Sequence, residues 1–112
     1  MTARDVILEM IRLIDAGWCQ GSGARDAGGR GTPTHGPYAT SFCIHRARGR
    51  VLGAELHRLD YAVSHALSMA FNGCGEASMM DYNDAPGRTK EEVPDKLRDA
   101  LDFCAKDGIP HV

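Results

Sequence analysis

Apolar side chains recur at three- and four-residue steps near the start of the chain, at Ala3, Val6, Ile7, Met10, Ile11, Ile14 and Trp18. That period places them on one face of an α-helix over residues 2–17. Thr2 can cap it, with the Asp5 carboxylate in the first turn, where the helix dipole favours negative charge. Gly17 is expected to end it in the left-handed conformation that glycine enters without strain.

The same reading predicts three more helices. A second starts near Thr40 or Ser41, carries Phe42, Cys43, Ile44 and Ala47, and either breaks at Gly49 or runs through Val51 and Leu52 towards Gly53. A third covers about Arg58 to Phe71, with Leu59, Ala62, Val63, Ala66, Leu67 and Ala70 inward and Asn72-Gly73 as its stop. The last spans roughly residues 90–106, with Val93, Leu97, Ala100, Leu101 and Cys104 inward, closed by Gly108 and Pro110. Its start has two solutions. Thr89 and Glu92 form a Thr-x-x-Glu capping box that opens with a tight turn before Pro94, or Pro94 is itself the first residue. No segment alternates strictly, so no sheet is expected. Residues 20–38 hold six of the thirteen glycines and read as a long surface loop, with a turn at Asp26–Gly29. The expectation is an all-α fold: one domain over residues 1–112, a compact bundle of about four short helices with a glycine-rich loop.

Composition narrows the function classes. A chain of 112 residues has room for one core. Its net charge of −2 argues against a general nucleic-acid coat. No apolar run has the length of a membrane span, and Met1-Thr2-Ala3-Arg4-Asp5 is not the start of an export signal, so a cytoplasmic protein with no membrane contact is expected. Cys19, Cys43, Cys74 and Cys104 form no Cys-x-x-Cys pair and are expected to be reduced. No metal and no cofactor is expected. The five histidines lack His-x-x-x-His spacing. Asp81, Asn83 and Glu92 fit three positions of a calcium loop, but Ala85 and Pro86 fill positions that need a ligand and a glycine. Gly21-Ser22-Gly23 lacks the strand and lysine of a phosphate loop.

Charge is unevenly distributed. Residues 45–58 carry +3 through Arg46, Arg48, Arg50 and Arg58 against Glu55, whereas residues 76–107 carry −4. The arginines can grip phosphates of a nucleic acid, or they face solvent or pair with the acidic last helix; the second outcome is the one expected. The densest polar stretch, Met80 to Thr89, reads as a loop in which Asn and Asp side chains bond turn backbone and Arg88 pairs with Asp84. A cysteine nucleophile with His35 or His45 has no local signature, and no catalytic residue is assigned.

Trp18-Cys19-Gln20-Gly21 after the first helix, Phe42-Cys43 opening the second, and Tyr82-Asn83-Asp84 followed by Arg88-Thr89 and Glu92-Val93 resemble a small family known only as a domain of unknown function. Its members occur in bacterial and phage genomes. The resemblance spans residues 6–104. This chain departs from the pattern at Phe42 and Tyr82, where tryptophan is usual, at Pro94, where an aliphatic residue is usual, and in its glycine-rich loop. The resemblance implies an all-helical protein without an assigned activity. Trp18, Cys19, Gln20, Tyr82, Asn83, Asp84 and Arg88 sit at predicted element ends and form a candidate ligand site if they converge. The leading expectation is a non-enzymatic regulatory protein that binds an unidentified protein partner, with a homodimer also open. A small-molecule or nucleotide site is the alternative, and nucleic-acid binding through the arginines comes third.

Overall fold

A computed structural model describes residues 2–21, 23–53, 57–71 and 76–104. The expected helix stops at Asn72-Gly73, Gly108 and Pro110, and the thiol of Cys74, lie outside the described residues. Helix α1 spans Ala3–Ala16. Its capping box is closed, because the Asp5 amide donates to Thr2 Oγ1 at 3.2 Å and the Thr2 amide donates to Asp5 Oδ2 at 2.9 Å. The predicted apolar face is buried at Ala3, Val6, Ile7, Met10, Ile11 and Ile14.

Gly17 ends α1 for a different reason from the one expected. Its φ is −172°, an extended conformation open to any residue. Glycine is required because a Cβ there would overlap the Thr40 carbonyl oxygen. That close approach lets the Phe42 amide donate to Gly17 O at 3.0 Å and the Cys19 amide donate to Phe42 O at 3.3 Å. Trp18 and Phe42 thus pair in parallel as an isolated bridge.

The expectation of no sheet is overturned. Three two-residue strands, β1 (Ala24–Arg25), β2 (Gly31–Thr32) and β3 (Ser41–Phe42), form an antiparallel sheet in the order β2-β1-β3. Ala24 faces Thr32 on one side and Phe42 on the other. Strands of two residues are too short to show alternation, so the pattern could not reveal them. The expected turn at Asp26–Gly29 is present: the Gly28 and Arg30 amides donate to Asp26 Oδ1 at 2.9 and 3.0 Å, and Gly29 takes φ +81°. Much of the expected loop is therefore a hairpin. Arg50 pins the rest, donating to Thr34 O at 2.7 Å and Gly36 O at 3.0 Å.

Helix α2 spans Ile44–Leu52, later than expected because Ser41 and Phe42 are held in β3. It continues through Gly49 to a positive-φ Gly53. A 3-10 turn, His57–Leu59, leads into α3, Asp60–Ala70, with the predicted stripe buried. The main correction among the helices is α4, Glu76–Asp84, where a polar loop was expected. Met79 and Asn83, four residues apart, are both buried; the inward face is half polar, so the apolar period fails.

Helix α5 spans Glu92–Leu101. It opens by the capping-box route, with the Thr89 amide donating to Glu92 Oε1 at 2.8 Å and the Val93 amide closing a tight turn onto Lys90 O at 3.2 Å. Pro94 is buried in the first turn, where its missing N–H leaves no bond unmade. One buried cluster draws on all five helices, from Ile7, Met10 and Ile14 through Ile44, Val63 and Leu67 to Met79, Val93 and Leu97. The fold is mostly helical with a small sheet, and not all-α.

Two outcomes follow. Gly17→Ala forces apart α1 and β3, and urea denaturation is expected to show a loss of about 1–3 kcal/mol, the cost of overpacking a tight contact. Asp5 and Glu92 are both held below the ordinary carboxylate range, first of all by the backbone amides of Thr2 and Thr89. Because the folded state binds these protons less readily, their contribution is full above the ordinary range and is lost as pH falls through the lowered folded values. The Asp5→Asn, Glu92→Gln double variant should therefore show a shallower fall in urea midpoint on acidification than the parent chain.

Candidate functional site

The residues that carry the sequence resemblance meet in space, and Asn83 is where they meet. It is fully buried near the end of α4. Its Oδ1 accepts from Trp18 Nε1 at 2.8 Å and from the Ile44 amide at 3.1 Å. Its Nδ2 donates to Cys19 O at 3.2 Å and to Asp84 Oδ1 at 2.8 Å. A side-chain amide offers two donors and an acceptor with two lone pairs, so every capacity of Asn83 is used.

The Ile44 contact explains how α2 begins. Its N-cap residue, Cys43, makes no side-chain capping bond. Asn83 supplies the missing acceptor from a helix distant in sequence, satisfying one of the amides that a helix N-terminus leaves open.

Gln20 and Arg88 finish the other end. Gln20 Nε2 donates to Asn83 O at 3.2 Å and Ala85 O at 3.0 Å, and Arg88 Nε donates to Tyr82 O at 2.9 Å. Tyr82 O and Asn83 O are late carbonyls of α4, which have no partner within the helix, and Ala85 O follows its last residue. The chain then turns at Ala85–Arg88, with Pro86 and a positive-φ Gly87 in the middle and the Arg88 amide donating to Ala85 O at 3.0 Å. Asp84 does not pair with Arg88 as expected; its Oδ1 accepts from the Gly21 amide at 2.8 Å. Arg88 instead pairs with Glu92 at 3.0 Å and lies 3.6 Å from the centroid of the Tyr82 ring. Tyr82 meets Phe71 edge to face at 5.3 Å, and its hydroxyl donates to Glu92 O at 3.2 Å. Burial pushes the Tyr82 phenol up, with Arg88 opposing.

Trp18, Cys19, Gln20, Tyr82, Asn83, Asp84 and Arg88 thus converge around Asn83, whose own hydrogen bonds are all made within the protein. Open clefts lie elsewhere. One of about 380 Å³ is lined by His35, Arg48, Gly49, Leu52, Gly53, His57 and Asp60. Another, of about 460 Å³, lies between the Asp26–Arg30 turn and Pro37–Thr40. Sequence reasoning assigned neither as a site, because each joins residues from separate segments.

The arginine cluster divides. Arg48 is bonded to Asp60 and donates to Ser64 Oγ at 2.8 Å, so its partner is on α3 and not on the acidic last helix. Arg50 is committed to backbone carbonyls and lies over the Phe42 ring. Arg46 and Arg58 are exposed. The calcium pattern is not assembled, since Asp81 is exposed while Asn83 and Glu92 have the partners named above. Among the described residues no group of three His, Cys, Asp or Glu side chains is placed to hold a metal ion. Among them also, no helix is long and apolar enough to cross a membrane.

Asn83→Ala leaves the Trp18 indole N–H, the Ile44 amide and the Cys19 carbonyl without their partner. Each orphaned buried group costs about 1–3 kcal/mol. Urea unfolding followed by fluorescence of Trp18, the one tryptophan, should show a loss of about 3 kcal/mol or more. Asp81→Ala, at an exposed site on the same helix, should stay within about 0.5 kcal/mol.

No curated protein and no solved structure matches the chain. Residues 1–103 match DUF6197, a family of unknown function, and the chain belongs to that family.

Proposed function

We propose that this chain is a small non-enzymatic binding protein that acts through protein–protein contact. The observation that carries this reading is where the unspent side chains lie. Most of the motif side chains are bonded within the Asn83 junction, whereas Tyr38 and Tyr61 are 73% and 67% exposed. Tyrosine brings a rigid apolar ring and a polar tip at low entropic cost, and with arginine it dominates binding hot spots. Tyr61 follows Asp60 at the Arg48 cleft, and the exposed Arg58 follows His57 of the same cleft. A face of tyrosine, arginine and histidine suits a partner with an acidic surface.

A small-molecule reading is favoured by the two open clefts, above all the one lined by His35, Arg48, His57 and Asp60. It draws nothing from Trp18, Asn83 or Arg88, whose bonds are internal. Nucleic-acid binding is weakened because only Arg46 and Arg58 of the four arginines are left for phosphates.

A tagged chain should capture a stoichiometric protein from host lysate at moderate salt. The Tyr38→Ser, Tyr61→Ser double variant, folded by circular dichroism, should lose about tenfold or more of that capture. A chain that elutes without a partner, or a double variant that captures as much as the parent, refutes the proposal.

A further inference from the structure

We propose that Cys19 and Cys43 are a redox pair, forming a reversible disulfide by exchange with a low-molecular-weight disulfide such as glutathione disulfide. The backbone pairing places them together. Phe42 exchanges bonds with Gly17 and Cys19, so Trp18 and Phe42 stand opposite each other in a parallel bridge. The Cys19 amide bonds the carbonyl of Phe42, so Cys19 and Cys43 flank that hydrogen bond, where the pairing ends because Asn83 takes both the Cys19 carbonyl and the Ile44 amide. Because side chains alternate along an extended segment, both project from the face opposite to Trp18 and Phe42. Fully paired positions on neighbouring strands lie about 4.8 Å apart, and a disulfide spans about 4.4–6.8 Å between Cα atoms, which leaves room for the widening at the end of the pairing.

The two thiols differ in access. Both are free. Cys19 is partly exposed, with its Sγ donating to Gly23 O at 3.5 Å, whereas Cys43 is buried at the start of α2. Burial first, and Cys43 second, raise the Cys19 pKa, which agrees with two thiols close together. Cys104 is also free, but it lies just past the end of α5, with its Sγ donating back to Ala100 O at 3.6 Å.

The chemistry balances. Cys19 gives its proton to water and attacks one sulfur of glutathione disulfide, whose S–S bond breaks and releases one glutathione thiolate. Cys43 then gives its proton to water and attacks the Cys19 sulfur of the mixed disulfide, and the second glutathione thiolate leaves. Two protein thiols are oxidised and one small disulfide is reduced to two thiols. The product closes the glycine-rich segment into a covalent loop and fixes the exit of α1 to the start of α2. This proposal does not depend on the binding function proposed above.

The experiment equilibrates the whole chain in glutathione buffers of increasing oxidising strength, traps free thiols with iodoacetamide, and maps the peptides by mass spectrometry. The expected result is a Cys19–Cys43 linked peptide that dithiothreitol reverses, with Cys104 alkylated throughout and a raised urea midpoint for the oxidised form. Cys43→Ser should stop at a glutathione adduct on Cys19. If that variant does not fold, the map of the parent chain decides alone. Cys19 linked to Cys74 or Cys104, Cys19 left as the glutathione adduct in the parent, or no linked peptide at the most oxidising ratio would each overturn the proposal.

Discussion

The rest of the fold depends on a buried amide with all of its hydrogen bonds made. Asn83 sits in the interior, and a primary amide there is tolerated only when its donors and acceptor are all matched. Its four partners come from three places: the Trp18–Cys19 segment after α1, the first amide of α2, and Asp84 beside it. Elements far apart in sequence are thus fixed to one another by direction-specific bonds, which apolar contact alone does not impose. The saturated amide makes the junction a positioning device.

Around that point the sequence motifs take on structural meanings. Gln20 and Arg88 complete the C-terminal end of α4, and Asp84 anchors Gly21. Glu92 both caps α5 and pairs with Arg88, so one carboxylate joins the turn to the last helix. The arginines of α2 follow the same logic. Arg48 ties α2 to α3, and Arg50 reaches two loop carbonyls while lying over Phe42. A run of positive charge that resembles a phosphate patch in the linear sequence is partly an internal brace, because guanidinium groups also satisfy carbonyls.

The legible parts of the fold were those with a long local period. The face of α1, the stripe of α3, the Asp26 turn and the capping boxes at Thr2 and Thr89 all arise from residues within about two turns of one another. The illegible parts have other causes. Strand β3 is two residues long and exists because the Thr40 amide can reach Arg25 O at 2.9 Å and Phe42 can reach Gly17. Helix α4 buries Asn83 where a period search expects an apolar residue. Gly17 was recognised as a stop, but the reason is the Thr40 carbonyl, twenty-three residues away in sequence.

By itself the sequence determined the helical character, the faces of α1, α3 and α5, and the set of motif residues, since these depend on side-chain order over a few turns. Only the tertiary structure decided how that set is arranged. Whether Trp18, Asn83 and Arg88 form a pocket or a closed junction depends on hydrogen-bond directions between segments more than sixty residues apart. Those directions are fixed by packing of the whole core and have no counterpart in local spacing.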